Sequence, residues 1–150
     1  MRPRLLFVVD DANFFLSHRL PLALTARKEG YDVAVACPVS SGVIELAKLD
    51  VRHVPLPLPR GKIALLAEIR AFIGLWRILK RERPDLVHLI TAKPVIYGGI
   101  LTRWLKIRSV AAVSGLGHVF VHMSLKNRLL RIAALLGYRW ALRRQGLFPI

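Results

Sequence analysis

Five short apolar runs alternate with helix-like segments along this chain, and the alternation restricts the folds it can adopt. Each run is apolar along most of its length rather than at every second residue; the five are LLFVVD (5–10), DVAVACP (32–38), VRHVPLP (51–57), DLVHLIT (85–91) and SVAAVSG (109–115). Strands of this kind are typical of parallel sheets that are covered on both faces. The pattern predicts an α/β fold: a Rossmann-like, doubly wound parallel sheet with helices on both faces and strand order 3-2-1-4-5.

The segments between the runs have the periodicity and the end signals of helices. They are predicted at 17–29, 40–50, 61–83, 94–105 and 125–144. Ser17 is predicted to be the N-cap of the first helix, and Gly30 ends it. The longest helix has apolar residues three and four positions apart, namely Ile63, Leu66, Ile69, Phe72, Ile73, Trp76 and Leu79. The third strand is limited by prolines and is predicted at the sheet edge, and Cys37 is predicted to lie in the core.

Ligands of such sheets bind at the carboxyl ends of the strands where the strand order reverses, which here is beside strands one and four. Three segments rich in polar, cationic or glycine residues meet at that edge. They contribute Asp10, Asn13, Phe14, Ser17, His18 and Arg19; Thr91, Lys93, Pro94, Tyr97, Gly98 and Gly99; and Ser114, Gly115, Leu116, Gly117 and His118. Their convergence predicts the ligand site more strongly than any one of these residues does.

His18 and Arg19 are predicted in the first turn of the helix that Ser17 caps. Backbone N–H groups and the helix dipole favour an anion at that position, so a functional role is predicted for His18. In the alternative interpretation, Phe14 and Phe15 form a hydrophobic lid and His18 is only a surface residue.

Other positions at this edge leave alternatives open. Lys93 is predicted to contact a phosphate or a hydroxyl group, or else to be a solvated loop lysine. The glycines of SGLGH (114–118) let the backbone approach a ligand, but they equally suit a plain strand-to-helix turn. His88 lies inside a strand and is predicted to be a core histidine whose hydrogen bonds are satisfied.

Several sequence motifs are missing, and their absence narrows the chemistry. There is no GxGxxG at the first strand-helix turn, which argues against NAD or FAD, and no GxxxxGK[ST], which argues against a P-loop NTPase. There is no GxSxG nucleophile elbow. His53 and His122 have no partners at metal-ligand spacing, so no metal site is predicted.

Charge is distributed unevenly along the chain. The formal net charge is +15; all nine acidic residues lie at or before Asp85, and the rest of the chain contains ten Lys or Arg and no acid. This asymmetry predicts an anionic partner: a membrane surface, a phosphate-bearing substrate or nucleic acid. Nucleic acid is disfavoured because the basic residues are interleaved with Leu, Ile and Val at helical spacing. The single cysteine allows no internal disulfide and fits a reducing cytoplasm.

The last predicted helix, KNRLLRIAALLGYRWALRR (126–144), is amphipathic and basic, as are helices that lie on anionic lipid. The residues predicted to face the membrane are Lys126, Arg131, Arg139, Trp140, Arg143 and Arg144. Alternatively it is a core helix whose charged face is solvated. No apolar run approaches the roughly 20 residues that span a bilayer. The chain is therefore predicted to lie on a membrane surface without crossing it.

Three ordered motifs together resemble a known family. FFLSHRLPLALTARKEGYDVAVACP, PDLVHLITAKPVIYGGILTRW and AAVSGLGHVF are similar to the amino-terminal domain of bacterial family 4 glycosyltransferases, over about residues 5 to 144. These enzymes have the GT-B architecture, in which two Rossmann-like domains face each other across a cleft. The resemblance implies that this domain holds the acceptor, often a polyprenyl-diphosphate-linked sugar at the inner membrane face, and that the chain is cytoplasmic and peripheral at that face. It also implies that a carboxy-terminal domain holds the nucleotide-sugar and that no metal is needed.

The resemblance also assigns roles at the predicted edge. It implies that the segment 17–19 faces the cleft, that Lys93 belongs to the strand-four loop and that 115–118 form the cleft loop after strand five. His18 is the predicted catalytic residue. The predicted acceptor contacts are Asn13, Ser17, Arg19, Lys93, Tyr97, Gly115, Gly117 and His118.

The domain boundaries predicted from this resemblance are 1–144 for the acceptor-side domain and 145–150 for an aberrant or truncated tail. A carboxy-terminal donor domain is not present in the sequence, so the nucleotide-sugar is expected only where such a domain is supplied. Two functions of different class are predicted. One is the acceptor half of a glycosyltransferase in cell-surface polysaccharide synthesis, inactive as a fragment. The other is a non-catalytic membrane-surface module that binds a lipid-linked anion.

Overall fold

The computed structural model describes residues 1–59 and 65–112, and within them a five-stranded sheet forms the centre of the fold. Its strands are β1 Arg4–Val8, β2 Asp32–Cys37, β3 Arg52–Pro55, β4 Leu86–Ile90 and β5 Arg108–Ala112. Each pair of neighbours is parallel, in the order β3-β2-β1-β4-β5. The predicted parallel sheet, its order and the edge position of β3 are therefore confirmed.

Helices cover both faces of this sheet. They are α1 Ala12–His18, α2 Leu20–Lys28, α3 Gly42–Lys48, α4 Leu65–Glu82 and α5 Ala92–Trp104. On one face, Phe15, Ala23 and Leu46 from the first three helices pack with Phe7 of β1. On the other face, α4 and α5 pack against the sheet through Ala71, Leu75, Leu79, Val95 and Leu101. Because both faces are covered, alternate residues of the central strands are buried on opposite sides and the strands read as continuous apolar runs. Cys37 is fully buried, as predicted.

The region after β1 differs from the prediction of one helix over 17–29. The Asp11 carboxylate accepts a hydrogen bond from the backbone N–H of Asn13 at 2.9 Å and caps α1, so the helix begins at Ala12. Ser17 is not an N-cap: it lies in the last turn of α1, where its hydroxyl donates to the Asn13 carbonyl at 3.0 Å. His18 ends α1 and Arg19 separates it from α2, so neither lies in the first turn of a helix.

The apolar spacing in 61–83 correctly predicts a helix, but most of the residues it identifies do not face the sheet. Leu79 is buried and Phe72 is half-buried, whereas Leu66, Ile69, Ile73 and Trp76 are exposed. The face that packs on the sheet consists of Ala71, Leu75, Ile78 and Leu79. The helix thus has apolar residues both towards the core and towards solvent. None of the helices in the described residues is both long enough and apolar enough to cross a membrane.

Candidate functional site

The strand order reverses between β1 and β4. The chain leaves β1 towards β2 on one side and returns to β4 on the other, so the segments after these two strands diverge around a crevice at the carboxyl edge. Asp10 and Asp11 follow β1, and Thr91 and Lys93 follow β4. The predicted site residues of the first two segments therefore come from elements that begin at this edge.

An open cavity of about 1240 Å³ lies at the opposite, amino edge of the sheet, where residues such as Arg27 and Arg52 line it. Both of these cations are already held by acids: Arg27 pairs with Asp50 at 3.1 Å and Arg52 with Glu82 at 2.6 Å. We assign the candidate site to the carboxyl edge, because parallel α/β sheets bind their ligands there.

His18 is held by its own helix. Its ring stacks on Phe14, with centroids 4.3 Å apart and an interplanar angle of 12°. Its Nδ1 lies 2.7 Å from the Ser17 hydroxyl and 3.2 Å from the Phe14 carbonyl oxygen. A carbonyl can only accept a hydrogen bond, so the contact with Phe14 favours the tautomer that carries the ring proton on Nδ1 and has a lone pair on Nε2. The His18 side chain is exposed, so Nε2 can accept a proton from a ligand.

The amino end of α1 is fixed by close packing on α3. A Cβ atom placed on Gly42 would lie 2.8 Å from the Asn13 Oδ1 and 2.9 Å from the Ala12 Cβ, so only glycine permits this approach. The side-chain Nδ2 of Asn13 also lies 3.5 Å from the Ser41 hydroxyl. Asn13 is exposed and is thereby presented at the carboxyl edge.

His88 is affected by the charge of Arg19, a residue far from it in the sequence. His88 is paired in register with Phe7 across β1 and β4, and the two rings are 5.2 Å apart. The prediction that His88 is a satisfied core histidine is wrong in one respect: among the described residues its buried Nε2 has no hydrogen-bond partner. Burial lowers the pKa of His88 from 6.5, and the positive charge of Arg19 lowers it further, to about 4.

The lowered pKa of His88 predicts an acid-sensitive contribution to stability. Between pH 6.5 and about 4 the unfolded chain protonates this histidine while the folded chain does not, so the free energy of unfolding decreases as the pH falls. We expect the parent to lose stability relative to His88→Leu in this window, by at most about 1.4 kcal/mol per pH unit. Urea unfolding of both proteins at several pH values measures the difference. A difference that does not vary with pH would contradict this assignment.

Lys93 and Tyr97 meet a residue that was not predicted, Glu68 of α4. The Lys93 ammonium group donates to the Glu68 carboxylate at 2.7 Å and to the Pro59 carbonyl at 2.7 Å, and the Tyr97 hydroxyl donates to the other Glu68 oxygen at 2.5 Å. Lys93 is therefore half-buried in α5 and is not the solvated loop lysine of the alternative interpretation. Two of its three N–H groups serve these contacts within the described residues.

Electrostatics stabilise the charged form of Glu68. Partial burial alone would raise the pKa of its carboxyl group, but the hydrogen bonds from Lys93 and Tyr97 and the charge of Lys93 outweigh burial and hold the pKa below its usual value. Burial raises the pKa of the Tyr97 hydroxyl, and the neighbouring carboxylate raises it further. Tyr97 therefore stays neutral, and the cluster joins α4, α5 and the segment after β3.

Replacing Glu68 with Gln should loosen this cluster. The change leaves a half-buried ammonium group without its counter-charge, and we expect the free energy of unfolding to fall by about 1–3 kcal/mol. Glu45→Gln is the matched control, because its ion pair with Lys48 is exposed, and it should change stability by less than about 0.5 kcal/mol. Equal effects of the two substitutions in urea unfolding would show that the cluster does not stabilise the fold.

Thr91 has an uncommon backbone conformation at this edge. Its φ is 70° and its ψ is 167°, although β-branched residues rarely adopt positive φ. Its hydroxyl donates to the carbonyl of Ile90 and does not cap α5. Strained residues of this kind are concentrated at functional sites, and Thr91 stands where β4 gives way to α5.

The two groups of predicted residues are held by different elements. Asn13, Ser17 and His18 lie on α1, and Lys93 and Tyr97 lie on α5 beside α4. The remaining predicted residues lie outside the described part of the chain; they are Gly115, Gly117, His118, Lys126, Arg131, Arg139, Trp140, Arg143 and Arg144. Within residues 1–59 and 65–112, no group of three or more His, Cys, Asp or Glu side chains could hold a metal ion.

The sequence also matches known proteins. A family model described as glycosyl transferase 4-like matches residues 4–147. A curated protein of Escherichia coli, UDP-Gal:alpha-D-GlcNAc-diphosphoundecaprenol alpha-1,3-galactosyltransferase, is 27% identical over 112 residues, which is 75% of this chain. The aligned part is only 27% of that protein, so the chain spans about a quarter of its relative's length.

Solved structures share the fold at low sequence identity. MurG of Acinetobacter baumannii superposes with a TM-score of 0.63 and 16% identity, covering 76% of this chain and 37% of that one. UDP-GlcNAc 2-epimerase of Methanocaldococcus jannaschii superposes with a TM-score of 0.55 and 18% identity, covering 95% of this chain and 42% of that one. Epimerases and transferases both share this fold, so these likenesses establish architecture and not activity. The family match extends over nearly the whole sequence, and the chain therefore belongs to the glycosyl transferase 4-like family.

Proposed function

We propose that this chain is the acceptor-binding domain of a glycosyltransferase. The enzyme would move a sugar from a nucleotide-sugar to a polyprenyl-diphosphate-linked glycan during cell-surface polysaccharide synthesis. The observation that supports this most is the match to the Escherichia coli galactosyltransferase, whose name specifies a UDP-sugar donor and a diphosphoundecaprenol-linked acceptor. The nucleotide-sugar would be held by a second, donor-binding domain, and no metal or other cofactor is invoked.

His18 is the proposed base of this reaction. Its Nε2 accepts the proton of the acceptor hydroxyl, and the resulting oxygen forms a bond to the anomeric carbon of the donor sugar. The bond between that carbon and the nucleotide diphosphate breaks, and the nucleoside diphosphate leaves. The contacts of Nδ1 with Phe14 and Ser17 support this role, because they orient the ring and direct Nε2 outward.

The acceptor's diphosphate requires cations, and the carboxyl edge has two that come from different segments. Arg19 follows α1, and Lys93 lies in the first turn of α5, where its ammonium group already pairs with Glu68. A guanidinium group can bind two phosphate oxygens at once, so Arg19 is the better suited of the two to the diphosphate. Asn13, Ser17 and Tyr97 are proposed as the uncharged acceptor contacts, and Gly115, Gly117 and His118 as the contacts after β5.

Binding of the acceptor by the chain tests this proposal without a donor domain. Isothermal titration in detergent micelles would compare N-acetylglucosaminyl-diphosphoundecaprenol with undecaprenol. We expect saturable binding of the former, weakened about tenfold or more in Arg19→Gln because a charge-assisted contact is lost. Arg108→Gln, an exposed arginine at the start of β5, is the control and should bind like the parent. Equal affinity for both lipids would contradict acceptor recognition and would favour a plain lipid-binding module.

A further inference from the structure

The outer face of α4 carries an exposed apolar stripe. Its members are Leu65, Leu66, Ile69, Ile73 and Trp76, at the three- and four-residue spacing that places side chains on one side of a helix. Leu66 is 72% exposed, so most of its side chain lies in solvent. The face of the same helix that packs on the sheet consists of other residues, namely Ala71, Leu75, Ile78 and Leu79.

The stripe extends onto α5 through aromatic contacts. Phe72 lies edge-to-face with Trp104 at a centroid distance of 6.5 Å, and Trp104 is 66% exposed. Two tryptophans, Trp76 and Trp104, are thus presented on one surface. Contiguous exposed apolar residues mark interaction sites, and tryptophan is enriched where a protein meets the interface of a bilayer.

Among residues 65–82, which form α4, the exposed charges beside the stripe are positive. Helical spacing places Arg70, Arg77 and Arg81 along one flank, and the Lys80 ammonium lies over the Trp76 ring at 4.8 Å. The acids of the helix are turned away from this surface: the Glu68 side chain is 12% exposed and bound by Lys93, and the Glu82 side chain is 14% exposed and bound by Arg52 and Arg81. An apolar strip with a basic flank is complementary to anionic lipid.

We propose that this surface, formed by Leu65, Leu66, Ile69, Ile73, Trp76 and Trp104 with the basic flank, binds an anionic membrane. The stripe would lie at the boundary between headgroups and acyl chains, and the flank would contact lipid phosphates. Glu68 ties the amino end of α4 to Lys93, so the stripe begins at the carboxyl edge of the sheet. Docking would therefore bring the candidate site to the membrane surface. The choice of a lipid partner rests on the proposed function. This surface differs from the membrane contact predicted from sequence, which involves the predicted helix 126–144.

Vesicle binding tests this inference independently of sugar transfer. The full chain would be sedimented with vesicles of phosphatidylglycerol and phosphatidylcholine that contain no lipid-linked sugar. In the stripe variant, Leu66, Ile69, Ile73 and Trp76 are each changed to Gln, a good helix former. The control variant changes four exposed apolar residues elsewhere, Leu22, Val39, Ile44 and Leu49, also to Gln.

We expect the parent and the control variant to bind anionic vesicles and the stripe variant to bind at least about tenfold more weakly. Equal binding of the stripe variant and the parent would overturn the proposal, and so would a parent that does not bind these vesicles. A parent dimer that the stripe variant dissociates, with vesicle binding unchanged, would also overturn it, because a second protein copy would then be the occupant.

Fluorescence gives a second test that does not require the stripe variant to fold. The chain has three tryptophans, so Trp104→Phe together with Trp140→Phe leaves Trp76 as the only one. We expect the emission of Trp76 to shift to shorter wavelength on binding and to be quenched by brominated lipids. Emission that stays unchanged while the chain is bound to vesicles would exclude α4 from the contact. A chain that binds vesicles through α4 but ignores the lipid-linked sugar would retain this inference and contradict the proposed function.

Discussion

Replacing His18 with Ala should lower sugar transfer by about 10²- to 10⁴-fold in a transferase that combines this domain with a donor-binding domain. The substitution removes the Nε2 lone pair that is proposed to accept the acceptor's proton. His18 is exposed, and the contacts of its ring with described residues lie within α1, so the domain should remain folded. The measurement is the turnover number with saturating acceptor, together with a circular dichroism spectrum of the variant.

Ser17→Ala is the matched control for this prediction. It removes the hydroxyl beside Nδ1 but leaves the Phe14 carbonyl to orient the ring, so transfer should fall much less than in His18→Ala. If His18→Ala kept the parent's turnover number, the ring would not be the base. If both variants lost activity equally, His18 would act by positioning the end of α1 and not by accepting a proton.

Replacing Phe15 with Ala should destabilise the domain by about 3–5 kcal/mol, the largest effect on stability that we expect from one substitution in α1. Phe15 is fully buried and lies edge-to-face against Phe7, with ring centroids 5.2 Å apart and an interplanar angle of 67°. It attaches to the sheet the helix that carries Asn13 and His18. The measurement is the free energy of unfolding in urea.

Phe14→Ala separates stability from function in the same helix. Phe14 is half-buried and stacks on His18, so its loss should cost less stability, about 1–2 kcal/mol, while it frees the His18 ring. Phe15→Ala should affect stability more than Phe14→Ala does. The reverse order would contradict the assignment of Phe15 to the core and of Phe14 to the site.

The sheet was predictable because burial on both faces leaves a direct trace in the sequence. A central strand such as β1 contacts helices on both sides, so an apolar residue is needed at nearly every position. The crossover connections between parallel strands are short and right-handed, and this restricts the strand order to a few choices. The short helix α1 was missed because its seven residues are too few for a periodic pattern. The available signal was Asp11, an N-cap residue directly after the strand.

The contacts that define the site were less predictable, because they join residues that are distant in the sequence. The Glu68 carboxylate accepts a hydrogen bond from Lys93, which is 25 positions away in the sequence. The neighbouring sequence does not distinguish Glu68 from an ordinary acidic residue on a helix surface. The proximity of His88 to Arg19 depends on how β1 and β4 align, which periodicity does not determine. The orientation of α4 was missed because it has apolar residues on two faces, and spacing alone does not say which face packs on the sheet.

The central claim is that the carboxyl edge of this sheet binds a lipid-linked acceptor. Backbone amide NMR of the chain, titrated with N-acetylglucosaminyl-diphosphoundecaprenol in micelles, tests it most directly, with undecaprenol titrated in parallel to remove shifts caused by lipid alone. We predict that the shifts caused only by the lipid that carries the sugar diphosphate cluster in 10–19 and 91–97, the segments that follow β1 and β4. Shifts confined to the amino edge, around Arg4, Asp32 and Arg52, or no shift specific to the sugar diphosphate, would contradict the claim.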